Sequence, residues 1–269
     1  NRPYTNDNKG KQWVSEDIKN KYPIYIPSYK RADKMLTVNS LLELKIDNFF
    51  VVIKPDKEEV EEYSKKMKEL KILDKLLIVP KSFIDKENKN GNFNSIPQRN
   101  YAYQHSIDNK CSHHWCLDDN IKHFYRREQG EILPIVGTSY PFVFVEKFLE
   151  RYKNVYLASM QYNHLVPANG KRAIIIKNSK VYSCILIKND NNIFWTGSYN
   201  EDIVLSLDTL SAGKSTLTFQ NFLCGKLSTG STKGGNSEIY SGDGQTQKVD
   251  ELISIYPEYT KKIFKYGHD

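Results

Sequence analysis

Two adjacent carboxylates and an amide, Asp118, Asp119 and Asn120, close the apolar run Trp115-Cys116-Leu117. A buried strand normally ends in turn residues. Two like charges side by side at such an end cost free energy unless something cationic sits between them. A divalent metal, held by hard oxygen ligands and shared with a phosphate, meets that need. The chemistry implied is that of an enzyme handling a nucleotide-activated substrate, in which a metal neutralises a leaving diphosphate. Taken alone, the same residues also suit a helix cap or an Asx turn. The buried strand ahead of them and the order of elements before it favour the metal.

A second acidic pair, Glu201 and Asp202, opens the periodic run that continues to Leu207. A carboxylate at a helix start, facing a metal site, can take the proton from an acceptor hydroxyl. Acidic residues also favour the first helical turn because of the macrodipole. Arg31, Lys30 and Arg99 follow proline-containing segments near strand ends. An arginine there offers a planar fork for phosphate or a uracil ring, whereas Lys30 reads equally well as surface. Lone histidines at 164 and 268 could complete a metal shell, and they suit ordinary surface or core positions better. Some of the 18 tyrosines could stack on bases or sugars, and most are packing residues.

The segment Cys111-Ser112-His113-His114-Trp115-Cys116 resembles a zinc motif only superficially, because no second ligand pair accompanies it. The four cysteines are scattered through apolar contexts, which suits reduced thiols in a cytoplasm. With 269 residues, 39% hydrophobic and 12% aromatic, the chain can build a substantial core and is not globally disordered. No apolar run approaches the roughly 20 residues that span a bilayer. Nothing reads as a signal peptide, although a chain starting at Asn1 rather than Met leaves room for a leader. The net charge of +7 suits a polyanionic partner. An AT-rich genome would raise the lysine content in the same way.

The elements that must position these residues are partly legible. Residues 1–21 read as a polar arm, and 22–269 as one domain with a nucleotide half at about 22–125 and an acceptor half at about 126–269. Tyr22 to Tyr29, Phe49 to Ile53 and Leu76 to Pro80 read as strands, separated by helices over about 34–44 and 57–70. That alternation predicts parallel strands with right-handed crossovers and a ligand site beyond their carboxyl ends. The polar segments 28–31, 54–56 and 81–82 should then face one site. Residues 85–95 read as a mobile loop, Ile96 onward as a helix with Pro97 near its start, and His113 to Leu117 as the strand that delivers the acidic motif. In the second half, 155–158, 173–176 and 181–187 read as strands, the last two joined by a hairpin turn at 177–180. Helices are expected near 247–255 and 259–266, and 228–235 reads as a flexible, phosphate-friendly loop.

The ordered set IPSYKRA (26–32), IPQRN (96–100), HHWCLDDNI (113–121), NEDIVLSL (200–207), GKSTLTFQNF (213–222) and the lysine-led stretch from Lys226 to Gly235 resembles the TET-associated glycosyltransferases. These are largely phage-encoded enzymes of the A-type glycosyltransferase fold, thought to attach sugars to 5-hydroxymethylpyrimidines in DNA. The resemblance spans roughly residues 22–240. It implies an α/β Rossmann-type mixed sheet with a nucleotide-binding first half and an acceptor-binding second half. It implies Mn2+ or Mg2+ at Asp118, Asp119 and Asn120, and a UDP-sugar, with UDP-glucose favoured, held by Pro27, Ser28, Tyr29, Arg31, Arg99 and Asp118. Asp202, or its neighbour Glu201, becomes the base, which inversion requires. The family's acidic motif spaces its carboxylates as Asp-x-Asp, whereas Asn120 stands third here. Metal affinity could therefore be lower, or Asp119 could be the direct ligand with Asp118 holding the ribose, and which of the two ligates stays open. A monomer acting on hydroxymethylated DNA in the cytoplasm of a phage-infected host completes the expectation. A protein or glycan acceptor, a nucleotidyltransferase and a non-catalytic DNA-binding module are the rivals. The second of these predicts further carboxylates converging on the same metal, and no third one is found nearby in the sequence.

Overall fold

The computed structural model describes residues 4–7, 10–13, 18–128, 130–167, 169, 173–189, 193–226 and 244–263. Within them the strands are β1 (Tyr4–Asp7), β2 (Gly10–Trp13), β3 (Ile24–Pro27), β4 (Phe49–Ile53), β5 (Leu76–Ile78), β6 (His113–Leu117), β7 (Ile121–Glu128), β8 (Glu131–Pro134), β9 (Val155–Tyr162), β10 (Ile175–Lys177), β11 (Cys184–Lys188) and β12 (Ser215–Lys226). The helices are α1 (Leu36–Glu43), α2 (Lys57–Glu69), α3 (Lys81–Lys89), α4 (Ile96–Asp108), α5 (Tyr140–Leu149), α6 (Glu201–Ser211) and α7 (Gly244–Ile255). β1 and β2 form a separate antiparallel ribbon. The other ten strands make one sheet in the order β5-β4-β3-β6-β11-β9-β12-β7-β8, with β10 paired to β12.

The expected Rossmann-like mixed sheet is what forms. β5, β4, β3 and β6 are mutually parallel, and β11 then enters antiparallel between β6 and β9. The parallel strands are near-continuous apolar runs because both sheet faces are covered. In β3, Ile24 and Ile26 enter the largest core cluster while Tyr25 packs with Val52, Val79 and Ala102 on the other face. Asp56 starts α2 by accepting from the Glu58 and Glu59 amides at 3.1 and 3.2 Å. Buried Glu146 of α5 fastens the first strand region to β6. It accepts from Trp115 Nε1 at 2.9 Å and from the Lys21 and Tyr22 amides at 2.8 and 3.2 Å.

Several segments differ from the expectation. Residues 1–20 include the β1–β2 ribbon as well as irregular chain. The stretch 85–95 is not a loop throughout, because α3 runs to Lys89. Phe83 and Ile84 pack on the Tyr25 cluster, and Glu87 is buried, accepting from Asn92 and Asn100. The turn at 177–180 does not close a hairpin, since β10 pairs with β12 and β11 with β6 and β9. Residues 259–263 are turn and irregular chain. Tyr259 and Ile263 are exposed there, and residues 264–266 of the expected helix lie outside the described residues. The loop at 228–235 lies outside the described residues. No described helix is long and apolar enough to cross a membrane.

Candidate active site

The carboxyl ends of β3 and β6 lie side by side, as a parallel pair requires, and present Ser28 and Asp118 through Asn120 to the same edge. On the β3 side, Ser28 Oγ donates to Asp119 Oδ2 at 2.8 Å, and the Arg31 guanidinium pairs with Asp119 Oδ1. Tyr63 of α2 backs this pair, 2.6 Å from Ser28 Oγ, and its phenol oxygen also accepts from the Arg31 amide at 3.2 Å. Gln98 Nε2 donates to the Ser28 carbonyl at 2.9 Å, so α2 and α4 both pin the loop. Burial raises Asp119 above the usual carboxylate range despite the pull of Arg31 and Ser28. It also drives the Tyr63 phenol up.

Asp118 faces the other way. Its amide donates to the Ser183 carbonyl at 2.8 Å, just ahead of β11. Its carboxylate accepts from Arg99 Nη2 at 2.8 Å, Lys226 Nζ at 2.6 Å and Ser183 Oγ at 2.7 Å. Burial works to raise Asp118, and Lys226 with Arg99 more than reverses it, leaving the group well below the usual range. Arg99 is 5% exposed. Its Nη1 donates to Cys116 Sγ at 3.1 Å, its Nε to Ser95 Oγ at 3.3 Å, and its guanidinium carbon lies 4.5 Å from the Trp195 ring centroid. A guanidinium held at three edges and one face is fixed in orientation.

Arg99 also joins the two acidic pairs, because its Nη2 lies 3.6 Å from Glu201 Oε1. Glu201 and Asp202 begin α6, as the sequence indicates, behind Asn200 with a φ of 52°. The loop before them is tied to α7. Glu251 accepts from the Ser198 and Tyr199 amides at 2.7 and 2.8 Å, and Asn200 Nδ2 donates to the Lys248 carbonyl at 2.7 Å. Asp202 is partly exposed as a residue, while its Oδ1 is sealed from solvent without a hydrogen-bond partner. Burial first, and the Glu201 charge second, push its pKa up to about 8 against the pull of Arg99. Such a carboxylate is a competent proton acceptor near neutral pH. Glu201 and Asp202 are thus further carboxylates beside Asp118. Among the described residues, though, no group of three or more His, Cys, Asp or Glu is arranged to hold a metal.

Of the expected site residues, Ser28, Arg31, Arg99, Asp118, Asp119, Glu201 and Asp202 form one connected cluster. Pro27 ends β3, opposite Val52. Tyr29 stacks under the Lys30 ammonium at 5.0 Å rather than reaching the carboxylates. Asn120 is buried with its Oδ1 unpartnered. Each oxygen of Asp118 and of Asp119 already holds a donor, and Arg31, Arg99 and Lys226 set three positive charges around the two carboxylates, which opposes a divalent ion there. As arranged, the trio does not fit one. Asp56 caps α2, and Lys81 and Ser82 start α3, so those segments serve helices. His164 stacks on Tyr162, with centroids 5.3 Å apart, and His268 lies outside the described residues. His114, from the zinc-like segment, bonds Asn189 Oδ1 at 2.6 Å, and burial pushes its pKa down to about 4.

Sequence reasoning missed Lys226, Ser183, Tyr63 and Trp195. Lys226 had a usable signal, since it ends the twelve-residue strand β12, ten of whose residues are buried. A lysine so placed needs a carboxylate. The sequence model of the family described as TET-Associated Glycosyltransferase matches residues 22–235, most of the chain. No curated protein matches it.

Proposed function

The chain belongs to the TET-associated glycosyltransferase family and is a glycosyltransferase, and from that premise we propose that it moves a sugar from a UDP-sugar to the hydroxymethyl group of a 5-hydroxymethylpyrimidine in DNA. The observation that carries this reading is the Asp118–Arg99–Glu201 junction, which joins the strand-end carboxylates to the start of α6. It gives one site a cationic wall suited to a diphosphate and a buried carboxylate suited to a hydroxyl.

In this reading the nucleotide lies along the carboxyl ends of β3 and β6, with Ser28, Arg31 and Asp119 on the nucleoside side. The diphosphate meets Arg99 and Lys226. Asp202 accepts the proton of the acceptor hydroxyl as that oxygen attacks the anomeric carbon, the course expected of inversion. Asp118 acts through its neighbours by holding Arg99 and Lys226 in place. UDP-glucose is the favoured donor. The charge of +7 suits the DNA backbone.

The test is to incubate the protein, with and without Mn2+, with a panel of UDP-sugars and DNA carrying 5-hydroxymethylcytosine or 5-hydroxymethyluracil. A hexose mass increment on the released nucleosides is expected. An increment confined to protein or free glycan overturns the acceptor, and DNA binding without UDP binding favours a non-catalytic module.

A further inference from the structure

We propose that Lys226, together with Arg99, does here the work expected of a divalent cation: the two side chains carry the charge of the donor diphosphate as the glycosidic bond breaks, so transfer proceeds without a metal. The inference rests on the UDP-sugar reading above and names the group that stabilises its leaving group.

Three cations already face the acidic motif. Arg31 and Ser28 take the two oxygens of Asp119, while Arg99, Lys226 and Ser183 take those of Asp118. A hard divalent ion needs about six oxygen ligands. To bind Asp118 or Asp119 it would have to compete with charge-assisted bonds and sit among like charges. The requirement that a pair of carboxylates at a strand end be compensated is met by side chains.

Lys226 is also placed as a site residue is. The register between β12 and β7 shifts between Gly225 and Lys226, an irregularity of the kind that re-aims a side chain. Gly225 makes that path possible, because a Cβ there would lie 2.7 Å from Tyr125 Cε2. The Lys226 ammonium lies 2.6 Å from Asp118 Oδ2, 3.2 Å from Ser183 Oγ and 5.9 Å from the Tyr162 ring centroid. An ammonium has three donors. Asp118 and Ser183 take two, and the third suits a phosphate oxygen.

The electron balance follows. The bond from the anomeric carbon to the β-phosphate oxygen breaks with its electron pair staying on that oxygen. The acceptor oxygen forms the new bond to carbon, and its proton goes to Asp202. The charge left on the diphosphate develops beside Lys226 and Arg99, where fixed cations cost no reorganisation.

Calorimetric titration of UDP and UMP into the protein, in EDTA and then in Mn2+, tests this. The wild-type protein is expected to bind UDP equally well in both buffers and to transfer sugar in EDTA. Lys226→Ala should weaken UDP binding about 10- to 100-fold, the worth of a charge-assisted contact, while sparing UMP. Lys226→Arg should recover part of the loss. UDP binding or transfer lost in EDTA and restored by Mn2+ overturns the proposal, and that arm needs only the wild-type chain. An unchanged UDP-to-UMP ratio in a folded Lys226→Ala protein also overturns it. If neither nucleotide binds in either buffer, the donor reading fails and the proposal falls with it.

Discussion

Asp118 and Asp119 are chain neighbours in opposite electrostatic situations. Asp119 has one cation, Arg31, backed by the Ser28 and Tyr63 hydroxyls, and burial keeps it raised. Asp118 has two cations, Arg99 and Lys226, and is depressed under comparable burial. β6 ends at Leu117 and the chain turns at Asp119 and Asn120, and the two carboxylates meet different sets of partners. What the difference teaches is that the number of fixed cations, more than burial, decides the state of each carboxylate. In the proposed reading it also divides the motif into a nucleoside end built on α2 and a transfer end built on α4, α6 and β12.

The contrast can be broken by substitution. The largest effect is expected of Asp118→Asn, which leaves Arg99 and Lys226 buried against a neutral amide. Loss of one partner of a buried pair costs about 3–5 kcal/mol, visible as a lowered melting temperature, and transfer should be abolished. The sign with pH is definite. Because the folded-state pKa of Asp118 is lowered, its stabilisation is complete above the ordinary carboxylate value of 3.8 and is lost as pH falls below it. Acid titration of the melting temperature should therefore show a steeper decline in the wild type than in Asp118→Asn.

Asp202→Asn comes next. It should lower kcat about 10²- to 10⁴-fold with UDP affinity unchanged. Since Asp202 must be ionised to accept a proton and its pKa is pushed up to about 8, wild-type transfer should rise as pH climbs through that value. The rise should vanish in the variant. A wild-type profile flat from pH 6 to 9 would remove Asp202 from its role.

Asp119→Asn sharpens the comparison from the other end. It should weaken uridine and UMP binding about tenfold, as for one charge-assisted bond, with a smaller change in kcat than Asp118→Asn. Equal kcat losses for the two asparagine variants would erase the division of the motif. The smallest effect is expected of Tyr63→Phe, which removes the hydroxyl behind Ser28 and the Arg31 amide. About 1 kcal/mol of stability and a several-fold loss of UMP affinity should follow, with kcat unchanged.

Much of this was readable before any coordinates. β3, β4 and β6 announce themselves as short apolar runs, whereas Asp56, read as facing the site, caps α2 instead. Asp118, Asp119, Glu201 and Asp202 are legible because their types in their settings are costly without a reason. The failures share a physical cause, namely distance along the chain. Lys226 meets Asp118 across 108 residues, and the pairing of β12 with β7, which sets Lys226 opposite Ile121, brings it there. The hairpin expected at 177–180 fails because β11 finds better partners in β6 and β9 than in its sequence neighbour. The loop expected at 85–95 fails because asparagine and lysine counts hide Phe83, Ile84 and Glu87, which have a surface to pack on. Local composition reports propensity, and the sheet order decides which propensities are used.

The Glu251 clasp on Ser198 and Tyr199 lies beyond residue 235, where the family match ends. A chain trimmed at that boundary would retain Arg31, Arg99, Asp118, Asp119, Glu201, Asp202 and Lys226, yet the peptide leading to Asp202 would lose its tether to Glu251 and Lys248. The aim of the proton acceptor we propose thus depends on a stretch outside the family match, and grafting a foreign tail onto this catalytic body would test whether aim can be inherited independently of chemistry.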